Sequence, residues 1–441
     1  MSIGAILFIL LFAAAVWFFA RNVGRIRRNI LLGRDETIND RPSERWALMA
    51  RVALGQSKMV VRPVAGFLHI VVYAGFVIIN IEVLEIIIDG IFGTHRVFHF
   101  LGGFYGFLIG SFEFLAVGTW LACAIFLVRR FVLRIQRFWS REMTRWPRTD
   151  AGLILTFEIL LMSAFLLMNA ADHTLQGMGY GHYIKAGAFP VSKQLAALFH
   201  FEALTPASLI LIERSCWWFH IVGILGFLNY LPYSKHFHIL LAFPNVWYGK
   251  LKPKTEMNAM PRVTAEVRSM LDPSLPPPPP PADPAPGLPP EHFGAKDVFD
   301  LSWKSLMDAY TCTECGRCTS VCPANLTGKL LSPRKIVMDT RDRLEEVGKV
   351  HDEQGSWKDD GKDLFTRITD EELWACTTCN ACTEVCPVNI DPVRIILDLR
   401  RYLVMEQSKP SPALNAMFTT IENNGAAWAF GPDQRMKWSE E

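Results

Sequence analysis

The sequence predicts an all-α protein: a bundle of five membrane-spanning helices followed by a small, mostly helical cysteine domain. Three observations carry this reading. Half of the 441 residues are hydrophobic, mean hydropathy is +0.19, and 30 Phe and 13 Trp are present, which points to a membrane protein rather than a large soluble core. Five apolar stretches are each long enough to cross a bilayer core of about 30 Å at about 1.5 Å per residue. Eight of the ten cysteines fall between Thr311 and Pro387, in two copies of C-x2-C-x2-C-x3-C-P. The net charge of +2 hides a local asymmetry. Arginine clusters beside apolar runs, without a reading motif, speak against a nucleic-acid partner.

The first stretch, Ile3 to Ala20, is apolar without a break and is followed by Arg21, Arg25, Arg27 and Arg28. A cleaved signal peptide carries its charge before the apolar run, so this one reads as a first membrane helix. A basic, amphipathic connection follows, with ten Arg or Lys from Arg21 to Arg62. Further spans run about Val64 to Ile88, Phe104 to Val128, Gly152 to Ala171 and Ile212 to Leu231, the last with a polar-tipped continuation to Leu241. Arg129 to Arg148 holds seven arginines, whereas Gly90 to Gly103 holds only Arg96, and Ala171 to Ala207 only Lys185 and Lys193. Positive loops face the cytoplasm. The expectation is a multi-pass protein of a bacterial or archaeal inner membrane, amino terminus outside and cysteine domain in the cytoplasm.

Pro273 to Pro290 is proline-rich, with six consecutive prolines from Pro276. Such a tract extends at about 3.1 Å per residue, and is expected to act as a stiff spacer of roughly 50 Å. The organisation predicted is a membrane domain over 1–245, a linker over 246–296, a cluster domain over 297–405 and a partner-binding tail over 406–441. Asp297 to Ala309, Pro333 to Glu346 and Pro392 to Met405 have helical periodicity and frame the cysteine runs, while Asp352 to Asp363 reads as a loop. The tail from Pro410, with Phe418, Trp428, Phe430 and Trp438, reads either as a segment that packs on a partner or as a frayed terminus.

The cysteine runs are Cys312, Cys315, Cys318, Cys322-Pro323 and Cys376, Cys379, Cys382, Cys386-Pro387. Three thiolates at i, i+3 and i+6 converge on three corners of an iron–sulfur cube, and in the two-cluster pattern the fourth cysteine completes the other cube. One [4Fe–4S] cluster is therefore assigned to Cys312, Cys315, Cys318 and Cys386, the second to Cys376, Cys379, Cys382 and Cys322. A disulfide scaffold or a zinc ribbon, built on isolated pairs or a histidine, does not explain two identical four-cysteine runs ending in proline. Free thiols imply a reducing compartment, in agreement with the topology.

Histidines within membrane spans are costly without a task. His69 lies early in the second span. The fifth carries His220 and His238, which as one continuous helix would share a face five turns, about 27 Å, apart. They suit two separate sites as neutral axial ligands of haem. Glu82, Glu85 and Asp89 recur at i, i+3 and i+7 on one helix face, and Glu113 and Glu158 lie at mid-span. These acids are either a proton relay and quinone-site group or partners of Asn80, Asn169 and backbone.

The run from Phe219-His220 through Pro232-Tyr-Ser234-Lys235 to His238 resembles the fifth helix of the five-helix cytochrome b subunit of respiratory nitrate reductase (the gamma type) and the related membrane subunit of heterodisulfide reductase. In that family the second helix supplies two further ligands ten residues apart; His69 matches one, and the other position holds Ile79. The resemblance implies a haem b between His69 and His238. A second haem at His220 would use His99 or His173, or be absent. His95, His182, His200 and His236 read as ordinary loop or interface residues. The cysteine domain resembles the small iron–sulfur subunit of heterodisulfide reductase and the dicluster domain of membrane-bound oxidoreductases for electron-transfer flavoprotein, glycolate or glycerol 3-phosphate.

These resemblances imply a membrane-bound electron-transfer subunit of a hetero-oligomer, with membrane lipid and quinone on one side and a flavoprotein or a CCG-domain iron–sulfur subunit on the other. Many relatives continue into CCG domains; no such repeat occurs here, so that module is expected on a separate subunit. The alternatives are a quinol-oxidising anchor feeding a cytoplasmic disulfide-type reductase, and a haem-free anchor of a ferredoxin-like module. No flavin or dinucleotide fingerprint is present, so substrate chemistry is expected elsewhere.

Overall fold

Proline at the first helical position and glycine just past the last bound the helices Pro63–Phe92, Pro333–Gln354 and Pro412–Asn424. The computed structural model describes residues 3–279 and 292–440. The membrane base contains α1 (Ile3–Ile30), α2 (Pro42–Met49), α3 (Pro63–Phe92), α4 (Gly103–Leu127), α5 (Arg145–Met178), α6 (Ser192–Leu198), α7 (Pro206–Tyr230) and α8 (His238–Trp247). Beyond it come α9 (Pro261–Leu271), α10 (Trp303–Thr311), α11 (Pro323–Leu326), α12 (Pro333–Gln354), α13 (Asp370–Trp374), α14 (Ala381–Val385), α15 (Pro392–Met405) and α16 (Pro412–Asn424). No strand occurs among the described residues, apart from one isolated bridge between Arg34 and Ser302. The all-α class is as expected.

α3 begins at Pro63 and stops at Gly93 in the left-handed region; α7 begins at Pro206, with the Thr205 hydroxyl accepting from the Ser208 amide. Five segments, Ile3–Ile30, Pro63–Phe92, Gly103–Val132, Arg145–Met178 and Pro206–Tyr233, are long and apolar enough to cross a membrane. α5 is central and packs against α4 and α7, while α3 packs on α4 and α1. Small residues allow the close approaches. A Cβ on Gly75 would lie 2.4 Å from the Thr119 hydroxyl, one on Gly90 would enter the Phe8 ring at 2.8 Å, and one on Gly223 would meet Leu161 at 2.8 Å.

Two expectations change. The fifth span does not continue as one helix to Leu241. Pro232 has no amide to donate, the chain passes through two short 3-10 turns at Leu231–Tyr233 and Lys235–Phe237, and Ser234 caps the second. His220 and His238 therefore lie on different helices. The cysteine domain is also not held away from the membrane part. Ile26 and Ile30 of α1, Val52, Leu231, Phe237 and Val246 share one hydrophobic core with Val298, Leu306, Ile336, Leu344, Ile396 and Leu399. Much of the expected spacer, residues 280–291, lies outside the described residues, but the units it joins are in direct contact.

Polar contacts reinforce this docking. Asn29 donates to the Tyr310 hydroxyl at 3.0 Å, Arg394 pairs with Glu36 at 2.8 Å, and Arg334, with no exposed side chain, pairs with Glu142 at 2.7 Å. α12 runs to Gln354, longer than expected, and Ser302 caps α10 after a separate turn at Val298–Asp300. In the tail, α16 has no buried residue, and Trp428, Phe430 and Trp438 are exposed.

Candidate metal centre

Each cysteine run is bent by the same backbone device. Two residues after the first cysteine, Glu314 (φ 53°) and Thr378 (φ 54°) are left-handed, and two residues further Gly316 (φ 70°) and Asn380 (φ 59°) are again. Alternating handedness curls the amides around a concave point, a nest of the kind that holds anionic and iron–sulfur groups. The Thr378 amide donates to Cys376 Sγ at 3.4 Å, and the Glu314 amide makes the equivalent bond to Cys312. The Ile390 amide donates to Cys386 Sγ at 3.3 Å. Such N–H bonds to sulfur tune cluster potentials.

The two cysteine runs are brought together in space. Cys312, Cys315, Cys318, Cys382 and Cys386 all line one cavity. Cys318 lies within electrostatic reach of Cys315, Cys312, Cys386 and Cys382, and Cys376 within reach of Cys322 and Cys379. Cys386 thus lies near Cys315 and Cys318 of the first run, and Cys322 near Cys376 of the second. Among the described residues no three His, Cys, Asp or Glu converge tightly enough for a single ion; thiolates at the corners of a cube stand further apart than those on one zinc. Burial pushes the Cys312 and Cys382 thiols up to about 12, so they give up their protons only to a metal. These residues fit two cubes.

The runs differ in their surroundings. Where the second run has Thr378 and Ala381, the first has Glu314 and Arg317, and those charges face the membrane base. Arg317 donates to the Lys58 carbonyl at 2.7 Å, and Arg62 donates to Ser320 Oγ at 2.7 Å. Lys58 reaches the Cys386 carbonyl at 3.1 Å and Asn389 at 2.7 Å, with burial taking its ammonium down to about 8. Glu314 is ion-paired with Lys235 and, at 2.8 Å, with Arg341. The second run is peripheral, with Cys379 exposed.

The histidines divide into one assembled pair and one isolated residue. His69, near the start of α3, lies within electrostatic reach of His238 and of Arg317. His238 Nδ1 is 3.0 Å from the Lys235 carbonyl, which leaves Nε2 free to ligate, and His69 Nδ1 is buried without a partner. A haem iron, if bound here, would be held by this pair. His236 stands beside it, 5.5 Å from His238 between ring centroids. His220 is buried, with Nδ1 3.1 Å from the Leu161 carbonyl and its ring against Phe165. Neither candidate partner is brought to it. His173 lies eight residues beyond Phe165 on α5, about 12 Å along the axis, and packs on Phe189; His99 Nδ1 is bonded to the Arg96 carbonyl of its own turn.

The acidic face of α3 closes around Arg96. This buried guanidinium pairs with Asp172, lies 4.0 Å from Glu82, and donates to the Tyr105 hydroxyl at 3.1 Å and Asn169 at 2.9 Å. Glu85 accepts from Tyr105 and the Phe98 amide, both at 2.8 Å; Asp89 accepts from the Arg96 and Val97 amides. Glu113 binds the Val191 and Ser192 amides. Only Glu82 among the three α3 acids keeps a buried oxygen with no hydrogen-bond partner. Sequence reasoning gave no role to Lys58, Glu314 or Arg334; for Glu314 the available signal was the pair of charges, Glu314 and Arg317, present in one cysteine run and absent from its copy.

Residues 311–390 match the family model of the 4Fe-4S dicluster domain. Over an alignment of 467 positions the chain is 28% identical to the "Probable iron-sulfur-binding oxidoreductase FadF" of Bacillus subtilis, covering 99% of this chain and 61% of that protein. It is 26% identical over 457 positions to the "EtfAB:quinone oxidoreductase" of Syntrophomonas wolfei, covering 97% of this chain and 56% of that protein. Over 99 residues, 22% of this chain and 48% of the relative, it is 34% identical to a subunit of the ferredoxin:CoB-CoM heterodisulfide reductase of Methanosarcina mazei. The chain thus spans about three fifths of the length of the first two relatives. No solved structure matches it. Residues 311–390 are a 4Fe-4S dicluster domain, docked on a five-helix membrane base, in a chain homologous to these iron–sulfur oxidoreductases.

Proposed function

We propose that this chain is a membrane-bound electron-transfer subunit linking a cytoplasmic donor to a quinone in the bilayer. Two [4Fe–4S] clusters on the cysteine sets above and one haem b between His69 and His238, when bound, supply the one-electron relay. One observation carries the reading. Glu314, the neighbour of Cys315, is ion-paired with Lys235, and the Lys235 carbonyl is bonded to His238 Nδ1. A continuous run of buried protein atoms therefore connects the first cysteine run to the imidazole.

The residues have distinct tasks in this scheme. The Lys235 carbonyl fixes the His238 tautomer; Arg62 and Arg317 beside the first run and Lys58 beside Cys386 put positive charge around the Cys312, Cys315, Cys318 and Cys386 set, which favours its more reduced state. The exposed Cys379 side of the second run, with the tail from Pro410, is the face for a donor: an electron-transfer flavoprotein or a CCG-domain iron–sulfur protein. A relative named EtfAB:quinone oxidoreductase supports the flavoprotein and the quinone. Arginine-rich loops on the docked side support a cytoplasmic dicluster domain and an external amino terminus. Glu82, with its unpartnered oxygen, is the acid favoured for proton delivery to quinone.

The test is the reduced-minus-oxidised optical spectrum of the purified chain, beside His69→Ala and His238→Ala. A haem band abolished by either substitution, with the iron–sulfur signals retained, supports the proposal. A wild-type chain without any haem band leaves a haem-free anchor and removes this reading.

A further inference from the structure

The seven arginines from Arg129 to Arg148 lie at the docked end of α4 and α5, where a bilayer's head groups would be. Among the described residues, none of them makes an ion pair within 4.0 Å. The one acid of the stretch, Glu142, is committed to Arg334 and Ser332, and the next acid, Asp150, to Tyr230 and Ser234. Positive charge is thus left over at one depth.

Part of it borders a groove. Leu127, Phe131, Trp139, Arg145, Arg148 and Leu153 line an open cleft of about 560 Å³ between α4 and α5, within the range of about 300–1,000 Å³ for small-ligand sites. Gly152 keeps the wall open, since the Phe131 ring stands 3.2 Å from where its Cβ would be. Trp139 orients two heads, with the Arg148 guanidinium 4.8 Å and that of Arg134 5.3 Å from its ring. Phe131 and Leu153 are 39% and 48% exposed, so the cleft is apolar on the bilayer side and cationic at its mouth.

We propose that this cleft binds one anionic phospholipid, its phosphate between Arg145 and Arg148 and an acyl chain along Phe131 and Leu153. Guanidinium forks match phosphate oxygens, and basic clefts between membrane helices select acidic head groups. The apolar floor distinguishes a lipid from a free phosphate, which would use the arginines alone.

The test uses the full, cluster-loaded chain, delipidated in a neutral detergent and titrated with phosphatidylglycerol, phosphatidylcholine of the same acyl chains, or inorganic phosphate, read by native mass spectrometry. Phosphatidylglycerol should be retained about tenfold over phosphatidylcholine, and Arg145→Gln/Arg148→Gln, which removes the charge but keeps polar side chains, should remove that preference. Arg141→Ala, in the same loop but outside the cleft, should change binding less than about twofold. Equal retention of the two lipids, an unchanged double variant, an equal loss in Arg141→Ala, or phosphate competing as well as the lipid would each overturn the assignment.

Discussion

Replacing Lys235 by Met removes one half of an ion pair that joins the membrane base to the first cysteine run. The two side chains are 8% and 3% exposed, so water does not substitute for the lost partner. Breaking a buried pair costs about 3–5 kcal/mol. Glu314 keeps Arg341 at 2.8 Å, which puts the loss at the lower end, about 3 kcal/mol. Glu314→Gln should cost a similar amount, because Lys235 then retains only the Pro147 carbonyl at 2.6 Å and Asp150 at 3.8 Å. With both replaced, neither charge is stranded, and the double variant should recover about 1.5–3 kcal/mol relative to the sum of the singles. Hydrogen–deuterium exchange of the cluster-loaded chain in micelles reads this locally, in peptides over 231–238 and 311–322. A loss of about 3 kcal/mol corresponds to roughly hundredfold faster exchange. Acceleration below about threefold in either single variant, or a double variant at the product of the singles, refutes the coupling.

The same contact predicts a pH dependence. Burial pushes the Glu314 carboxyl up, but Lys235 and Arg341 outweigh it and hold the group below the usual glutamate range. Burial also draws Lys235 below the usual lysine value, against the pull of Glu314 and Asp150, so the glutamate carries the stabilising side. Its contribution is complete above the unfolded pKa of about 4.3 and is lost as pH falls through the lower folded value. Protection factors at the interface should therefore hold above about pH 5 and decline below about pH 4, a decline absent in Glu314→Gln.

Cys386→Ala should weaken the cluster held by the first run rather than the second, taking iron content from about eight atoms towards about four, with the electron paramagnetic resonance signal of the Cys376 set retained. Loss of the second set instead would contradict the crossed ligation. Arg334→Met strands Glu142 and should cost about 3–5 kcal/mol, read as a lower midpoint for thermal loss of cluster absorption. Gly348→Ala places a Cβ 2.4 Å from Asn29 Nδ2, and should cost about 1–3 kcal/mol by displacing Asn29 from Tyr310; the same thermal midpoint checks it, with Gly355→Ala, where nothing lies within 4 Å but φ is 74°, costing less.

Much of this protein was legible in its sequence because the signals were local. Apolar runs of bilayer length mark the helices whatever their neighbours, and the repeated cysteine spacing marks the dicluster domain. Proline marks the start of half of the sixteen α-helices among the described residues. What tertiary structure decided were the pairings that no local pattern encodes. The fifth helix breaks at Pro232, so His238 joins His69 while His220 stays alone. Glu85 and Asp89, which by spacing alone suit a proton route, spend their oxygens on Tyr105 and loop amides around Arg96. Arg96 itself looked like one stray charge in a neutral loop. The proline tract suggested separation, yet a shared core and the Lys235–Glu314 and Arg334–Glu142 pairs hold the dicluster domain against the membrane helices. The physical reason is common to all of these: periodicity and spacing are properties of a segment, whereas burial of a charge is settled by what another segment, often hundreds of residues away, brings to meet it.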